Sequence, residues 1–134
     1  PKPLAKIASG GELSRIMLAI KTILAHKDTV GTLIFDEIDT GVSGRASQKI
    51  GLKLRAVAED TQVICVTHSA QIASLAGAHF LIQKQVKGER TYTHVQRLDF
   101  DGRARELARI MGGLEISSAL LSTAEEMLRT AREG

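Results

Sequence analysis

Three short stretches of the chain carry residue types that do chemistry on phosphates. Ser9, Gly10, Gly11 and Glu12 stand in ASGGELSR, just ahead of the apolar, helix-like IMLAIKTIL; Asp36 and Glu37 close the apolar run LIFDE; His68 closes the run VICVTH. Glycines that open a helix let main-chain N–H groups approach an anion, and the helix end adds positive potential. A carboxylate at a strand's end, as at Asp36, can hold Mg²⁺ directly or through water, because that ion takes few protein oxygens and keeps several waters. Glu37 beside it, pointing to the other side of the strand, can orient and deprotonate an attacking water. His68 can donate to a phosphate oxygen and so sense a terminal phosphate. Each signal also has a plainer reading: a turn for Gly-Gly, solvated acids for Asp-Glu, a structural residue for a lone His. Their order and context carry the weight.

Such residues need elements to position them. Apolar residues Leu13, Ile16, Met17, Ile20, Ile23 and Leu24 recur at the spacing of one buried helix face, so Glu12 to Ala25 is predicted helical, with Ser9 as its N-cap. TLIFDE and QVICVTH read as strands buried on both faces, separated by the turn TGVSG and a helix from Ala46 to Glu59 whose contacts come from Ile50, Leu52, Leu54, Val57 and Ala58. A short helix over SAQIASLA follows. His79 to Gln85 and Thr91 to Leu98 read as a hairpin turning at KGER, with Lys84, Lys87, Arg90 and Arg97 as a candidate basic strip for DNA. Helices over Arg103 to Met111, ended by Gly112 and Gly113, and over Ser117 to Arg132, with Leu120, Leu121, Ala124 and Leu128 inward, complete the chain. This order implies one α/β domain over residues 1–134: a mostly parallel sheet with an antiparallel edge hairpin, flanked by helices. Chemistry in such sheets gathers at the carboxyl ends of the strands, where Asp36, Glu37, Thr67 and His68 fall.

Composition agrees with that class. The 134 residues are 43% apolar but only 3% aromatic, with no Trp, so the core is built from Leu, Ile, Val and Ala. Eighteen basic residues against fifteen acidic ones leave a net charge of +3, too small and diffuse to argue for nucleic acid by itself. The single Cys65, inside VICVTH, excludes a disulfide framework, favours a reducing compartment and reads as an inert buried thiol. No apolar run approaches the ~18 residues of a membrane span. The start at Pro1, leading within a few residues into a motif, reads as a piece of a longer protein or a processed one.

In their order, SGGE opening a helix, an apolar strand ending in DE and a second ending in H resemble the second half of an ABC-type ATPase head. Ser9, Gly10, Gly11 and Glu12 match that superfamily's signature motif, LIFDE its Walker B strand with Glu37 as catalytic glutamate, and His68 its switch histidine. SGGELSR and DEID are similar to the SMC-like, chromosome-associated and DNA-repair branch; transporters usually carry Gln where Glu12 stands and DEPT where DEID stands. The bacterial DNA-repair members of that branch are matched along almost the whole chain, through ASGGELSRIMLAIK, IFDEIDTGVSGRASQKIG, VICVTHSAQIASLAGAH and ELARIMGG. One position departs from transporters and SMC proteins: where they carry a D-loop aspartate, this chain has Ser43 in a D-loop region formed by Asp39, Gly41, Ser43 and Gly44.

The chain contains no GxxxxGK[ST] motif, and no Gly-Lys dipeptide, so the Gly10–Gly11 turn is not the main nucleotide cradle. The resemblance implies that Ser9, Gly10, Gly11 and Glu12 cap, in trans, the ATP bound by a second head. It implies that Asp36 (for Mg²⁺), Glu37 and His68 serve the P-loop of an N-terminal lobe of the same protein, separated in sequence by a coiled coil that returns at Lys2 to Ile7. The implied function is ATP binding and hydrolysis at a head–head dimer in DNA double-strand break repair and recombination, in the cytoplasm at the nucleoid, with DNA and no membrane as partner. By itself the chain is expected to be inactive. The alternatives are a non-catalytic dimerisation module on the same scaffold and a fragment of a transporter's nucleotide-binding subunit.

Overall fold

The computed structural model describes residues 10–24 and 29–134. The chain divides into two compact units, Pro1–Leu75 and Ala76–Gly134. Ser9, Lys2 to Ile7 and the last residue of the expected first helix, Ala25, lie outside the described residues.

In the first unit, helix α1 (Gly10–Leu24) leads to strand β1 (Thr32–Asp36), helix α2 (Gly44–Val57), strand β2 (Gln62–Val66) and the short helix α3 (Ala70–Ser74). β1 and β2 pair in parallel, with Thr32 opposite Gln62 and Asp36 opposite Val66. This register follows from the β-α-β order, in which α2 carries the chain back to the start of the sheet. Leu18, Phe35, Ile38, Leu54, Val57 and Ile72 form the core, and Leu33, Ile50, Val63 and Cys65 pack against it. Gly51 lets α2 approach α3 closely, since a Cβ there would stand 2.6 Å from Leu75 Cδ1 and 3.4 Å from the Ile72 backbone.

The second unit is the hairpin β3 (Phe80–Lys87) and β4 (Arg90–Arg97), followed by α4 (Phe100–Gly112) and α5 (Ser118–Glu133). Gly88 turns the hairpin at φ 65. The Asp99 carboxylate accepts from the Gly102 amide to cap α4, and the Ser117 hydroxyl accepts from Leu120 to cap α5. Ala104, Leu107, Ala108, Ala124 and Leu128 are the buried apolar residues of the two helices, and Arg109 Nε and Nη2 both donate to the buried Glu106 carboxylate. α4 begins three residues before its expected start, because Asp99 caps it ahead of the apolar pattern, and the hairpin strands extend further into the turn, β3 to Lys87 and β4 from Arg90, while each is one residue shorter at the open end.

Three expectations are corrected. First, the described strands form two separate two-stranded sheets, β1–β2 parallel and β3–β4 antiparallel; the hairpin does not join the parallel pair as its edge. Strand order in sequence specifies the elements but not which edges meet. Second, β1 and β2 are covered on one face only: Phe35 is 2% exposed while Ile34 is 71% exposed, and Ile64 and Val66 are also open. The α1 face expected to be buried is likewise open at Leu13, Ile16, Met17, Ile20, Ile23 and Leu24, with Leu18 instead turned inward. Apolar patterning reports that a face is to be covered, and the described residues of this unit cover one side of the sheet. Third, the four hairpin cations do not make one strip. Cross-strand pairing sets Lys84 opposite Thr93 and Arg97 opposite Phe80 on one face, and Lys87 opposite Arg90 on the other.

Phe35 and Leu107 are the large side chains that seal the two cores. Phe35→Ala is expected to cost about 3 to 5 kcal/mol and Leu107→Ala about 2 to 5 kcal/mol. Urea unfolding followed by circular dichroism measures both, and an unchanged midpoint in either variant would contradict the assignment of that core.

Candidate functional site

The parallel register sets the carboxyl ends of β1 and β2 side by side, Asp36 beside Val66, so the two reactive ends arrive together. β1 stops at Asp36. Glu37 is in the following turn at φ 58, a left-handed backbone conformation that is uncommon for a residue other than glycine. It is therefore a turn residue, not the last residue of a strand with its side chain on the opposite face. The turn is closed by the Thr40 amide donating to the Glu37 carbonyl at 3.1 Å and anchored by Ile38, which is fully buried.

α1 grips this turn. Ser14 Oγ donates to the Asp36 carbonyl at 2.7 Å, and Arg15 Nη1 donates to the carbonyls of Ile38 at 3.1 Å and Thr40 at 2.9 Å. Alternate carbonyls are thus held by one helix. The glycine end of α1 lies directly on the turn: a Cβ added at Gly10 would stand 2.8 Å from Glu37 Oε2, and one at Gly11 2.7 Å from the Glu37 carbonyl oxygen. Gly11 is required for this approach within the chain, independently of any ligand, because its neighbour is main chain; at Gly10 the neighbour is the movable end of the Glu37 side chain. A substitution at Gly11 consequently strains the Glu37 turn as well as altering the surface that the glycines present.

Asp39 ties the turn to β2. Its Oδ2 accepts from Thr67 Oγ1 at 2.8 Å and from the His68 amide at 3.0 Å, while Thr67 Oγ1 accepts from the Ser69 amide at 3.0 Å. His68 is exposed, with its main chain fixed by Asp39. Ser43, standing where a D-loop aspartate was expected, is the N-cap of α2: its Oγ accepts from the Ala46 amide at 3.3 Å. Gly41 takes a positive φ of 74 in the same loop, and Gly44 is the first residue of α2.

The structure therefore brings together Gly10, Gly11, Asp36, Glu37, Asp39 and His68 in one unit. Glu12 is exposed in the first turn of α1, and Ser9 lies outside the described residues. Among the described residues no three acidic, His or Cys side chains converge as a metal cage. Mg²⁺ can be held by a single carboxylate with water and phosphate oxygens, and the carboxylates of Asp36 and Glu37 are both outside the Asp39 tie. Sequence reasoning quoted Ser14 and Arg15 within SGGELSR but gave neither a role, because their function is defined by the carbonyls they meet.

Cys65 sits behind the site, half-buried. Burial first, then the charges of Asp39 and Asp36, push its thiol up to about 11. The thiolate is disfavoured, in agreement with an inert cysteine.

The fold has a counterpart among solved structures. An SMC ATPase whose study concerns "ATP-driven dimerization and DNA stimulated activation" superposes with a TM-score of 0.57, covering 85% of this chain and 68% of that one at 15% identity. At that identity the likeness shows the class of fold alone, an α/β fold. In sequence the chain matches the C-terminal part of the DNA repair protein RecN. It is 48% identical to RecN of Treponema pallidum over 128 residues, 45% identical to that of Bacillus subtilis over 130, and 45% identical to that of Vibrio cholerae over 130. These alignments cover 96 to 97% of the chain, which spans 22 to 24% of the length of the relatives. No family model matches.

The thiol gives a direct check on the site's electrostatics. Alkylation of Cys65 at pH 8 is expected to be much slower in the folded chain than in urea. Because the folded thiol titrates above the unfolded one, its contribution to stability is complete below pH 9.0 and is lost as pH rises through about 11. Equal alkylation rates with and without urea would contradict this.

Proposed function

We propose that this chain is the C-terminal half of a RecN-like ATPase head, which binds and hydrolyses ATP between two heads during repair and recombination of broken DNA. The observation that carries the reading is the meeting of the α1 glycines, Asp36, Glu37 and His68 at the carboxyl ends of β1 and β2, in a chain similar to RecN over nearly its whole length. The sequence contains no P-loop motif, and in this reading the site is half of a composite one.

In this reading Gly10 and Gly11 present main-chain N–H groups to the terminal phosphate of a nucleotide held by a second copy. Asp36, Glu37 and His68 face the nucleotide held by the N-terminal P-loop lobe of their own head. Asp36 holds Mg²⁺, which supplies positive charge against the phosphates. Glu37 accepts a proton from the attacking water, and its carboxylate stands at the tip of a turn with a fixed backbone. His68 donates to the terminal phosphate and registers its departure. The open faces of β1, β2 and α1, lined by Ile34, Ile64, Val66, Ile20 and Ile23, supply apolar surface for the N-terminal lobe to cover. Among the described residues no helix is long and apolar enough to cross a membrane.

In the full-length protein, Glu37→Gln is expected to lower ATP turnover by about 100-fold or more while ATP-driven association of heads persists, because the phosphate and Mg²⁺ contacts remain. Single-turnover hydrolysis and analytical ultracentrifugation with ATP measure the two effects. Turnover at the wild-type rate, or loss of association together with activity, would contradict the assignment.

A further inference from the structure

Two side chains that the proposed chemistry does not use lie between the α1 glycines and His68. Arg15 holds the carbonyls of Ile38 and Thr40, the residues on either side of Asp39, and Asp39 in turn receives the Thr67 hydroxyl and the His68 amide. We propose that Arg15 and Asp39 are a pair of positioning residues that transmit the pose of α1 to His68 and Glu37. The proposal rests on the ATPase reading and adds to it a path between the surface that meets a neighbour's nucleotide and the groups that act on the chain's own.

The geometry distinguishes such a path from ordinary loop packing. A single guanidinium nitrogen binds both carbonyls, so a shift of α1 moves the backbone on both sides of Asp39 together. Asp39 uses one oxygen, Oδ2, for both of its bonds, so a displaced Asp39 releases or drags Thr67 and His68 as a unit. Ser14 adds a third tie at Asp36, at the start of the same turn. Glu37 lies inside the gripped segment, at a backbone conformation that surrounding contacts must sustain. The carboxylate of Asp39 acts as a hydrogen-bond acceptor through Oδ2. An amide oxygen at the same place can therefore replace it.

The test uses the full-length protein with four variants: Arg15→Met, Asp39→Ala, the double variant and Asp39→Asn. Arg15→Met and Asp39→Ala are each expected to lower kcat by about 10- to 100-fold with KM for ATP unchanged. The double variant is expected to be no slower than the slower single one, because both interrupt one path. Asp39→Asn keeps an acceptor oxygen and is expected to retain most of kcat. Native-state hydrogen exchange supplies a readout separate from turnover. The His68 amide is expected to exchange faster in Asp39→Ala and also in Arg15→Met, which touches neither Thr67 nor His68, and at the wild-type rate in Asp39→Asn.

Multiplicative losses in the double variant, failure of Asp39→Asn to retain kcat, or unchanged His68 exchange in Arg15→Met would each overturn the proposal. If Asp39→Ala unfolds, as general loss of exchange protection would reveal, Arg15→Met and Asp39→Asn decide the matter by the same exchange measurement. Turnover that survives Glu37→Gln would count against the ATPase reading, whereas exchange at His68 still judges the Arg15–Asp39 pair.

Discussion

The parallel pairing of β1 with β2 is the constraint on which the rest of the site depends. With Asp36 opposite Val66, the residues after each strand leave the sheet at the same level, and the Glu37–Gly41 turn meets Thr67 and His68. Ile38 fixes the turn from below because its side chain is fully buried, and Asp39 closes it from the side through Thr67 and the His68 amide. A register shifted by one residue would send Phe35 to the open face and Ile34 into the core, and would separate Asp39 from its partners. The apolar pattern of the strands and the chemistry beyond their ends are thus set by the same alignment.

α1 has two duties that its sequence combines. Its first turn presents glycines, whose lack of side chains lets the helix rest against Glu37; its second reaches back through Ser14 and Arg15 to three main-chain carbonyls. Charge-assisted bonds from Arg15 are stronger than neutral ones and leave the carbonyls of a tight, partly exposed turn satisfied. The result is a rigid junction between elements that, in the proposed head dimer, serve different nucleotides. The hydrogen bonds of Arg15 and Asp39 join these elements within one chain, and on them rests the proposed link between the two sites.

Much of this was legible in the sequence. Unbroken apolar runs located both strands, helical spacing located α1, α2, α4 and α5, and the acids and histidine at the strand ends marked the site. What could not be read was tertiary. Ser43 stood where a family aspartate was expected, and only the backbone reveals it as the cap of α2, while the neighbouring Asp39 makes the contact to the next loop. Arg15 carried no periodic signal, since its role is defined by the carbonyls it meets. The faces of Ile34, Ile64 and α1 were correctly marked as apolar, but pattern alone does not say whether their cover lies in the same stretch of chain. The separate hairpin has the same cause: local alternation specifies a strand, whereas its neighbours are chosen by the whole assembly.

Reconstitution tests the central claim, half of a composite ATP site, most directly. The chain is purified alone and then titrated with the N-terminal P-loop lobe of its own full-length protein, and phosphate release from Mg²⁺-ATP is followed. The account predicts negligible release by the chain alone and turnover that appears and saturates as the lobe is added, dependent on Glu37. Steady turnover by the isolated chain, or binding of the lobe and ATP with no turnover at any ratio, would contradict it.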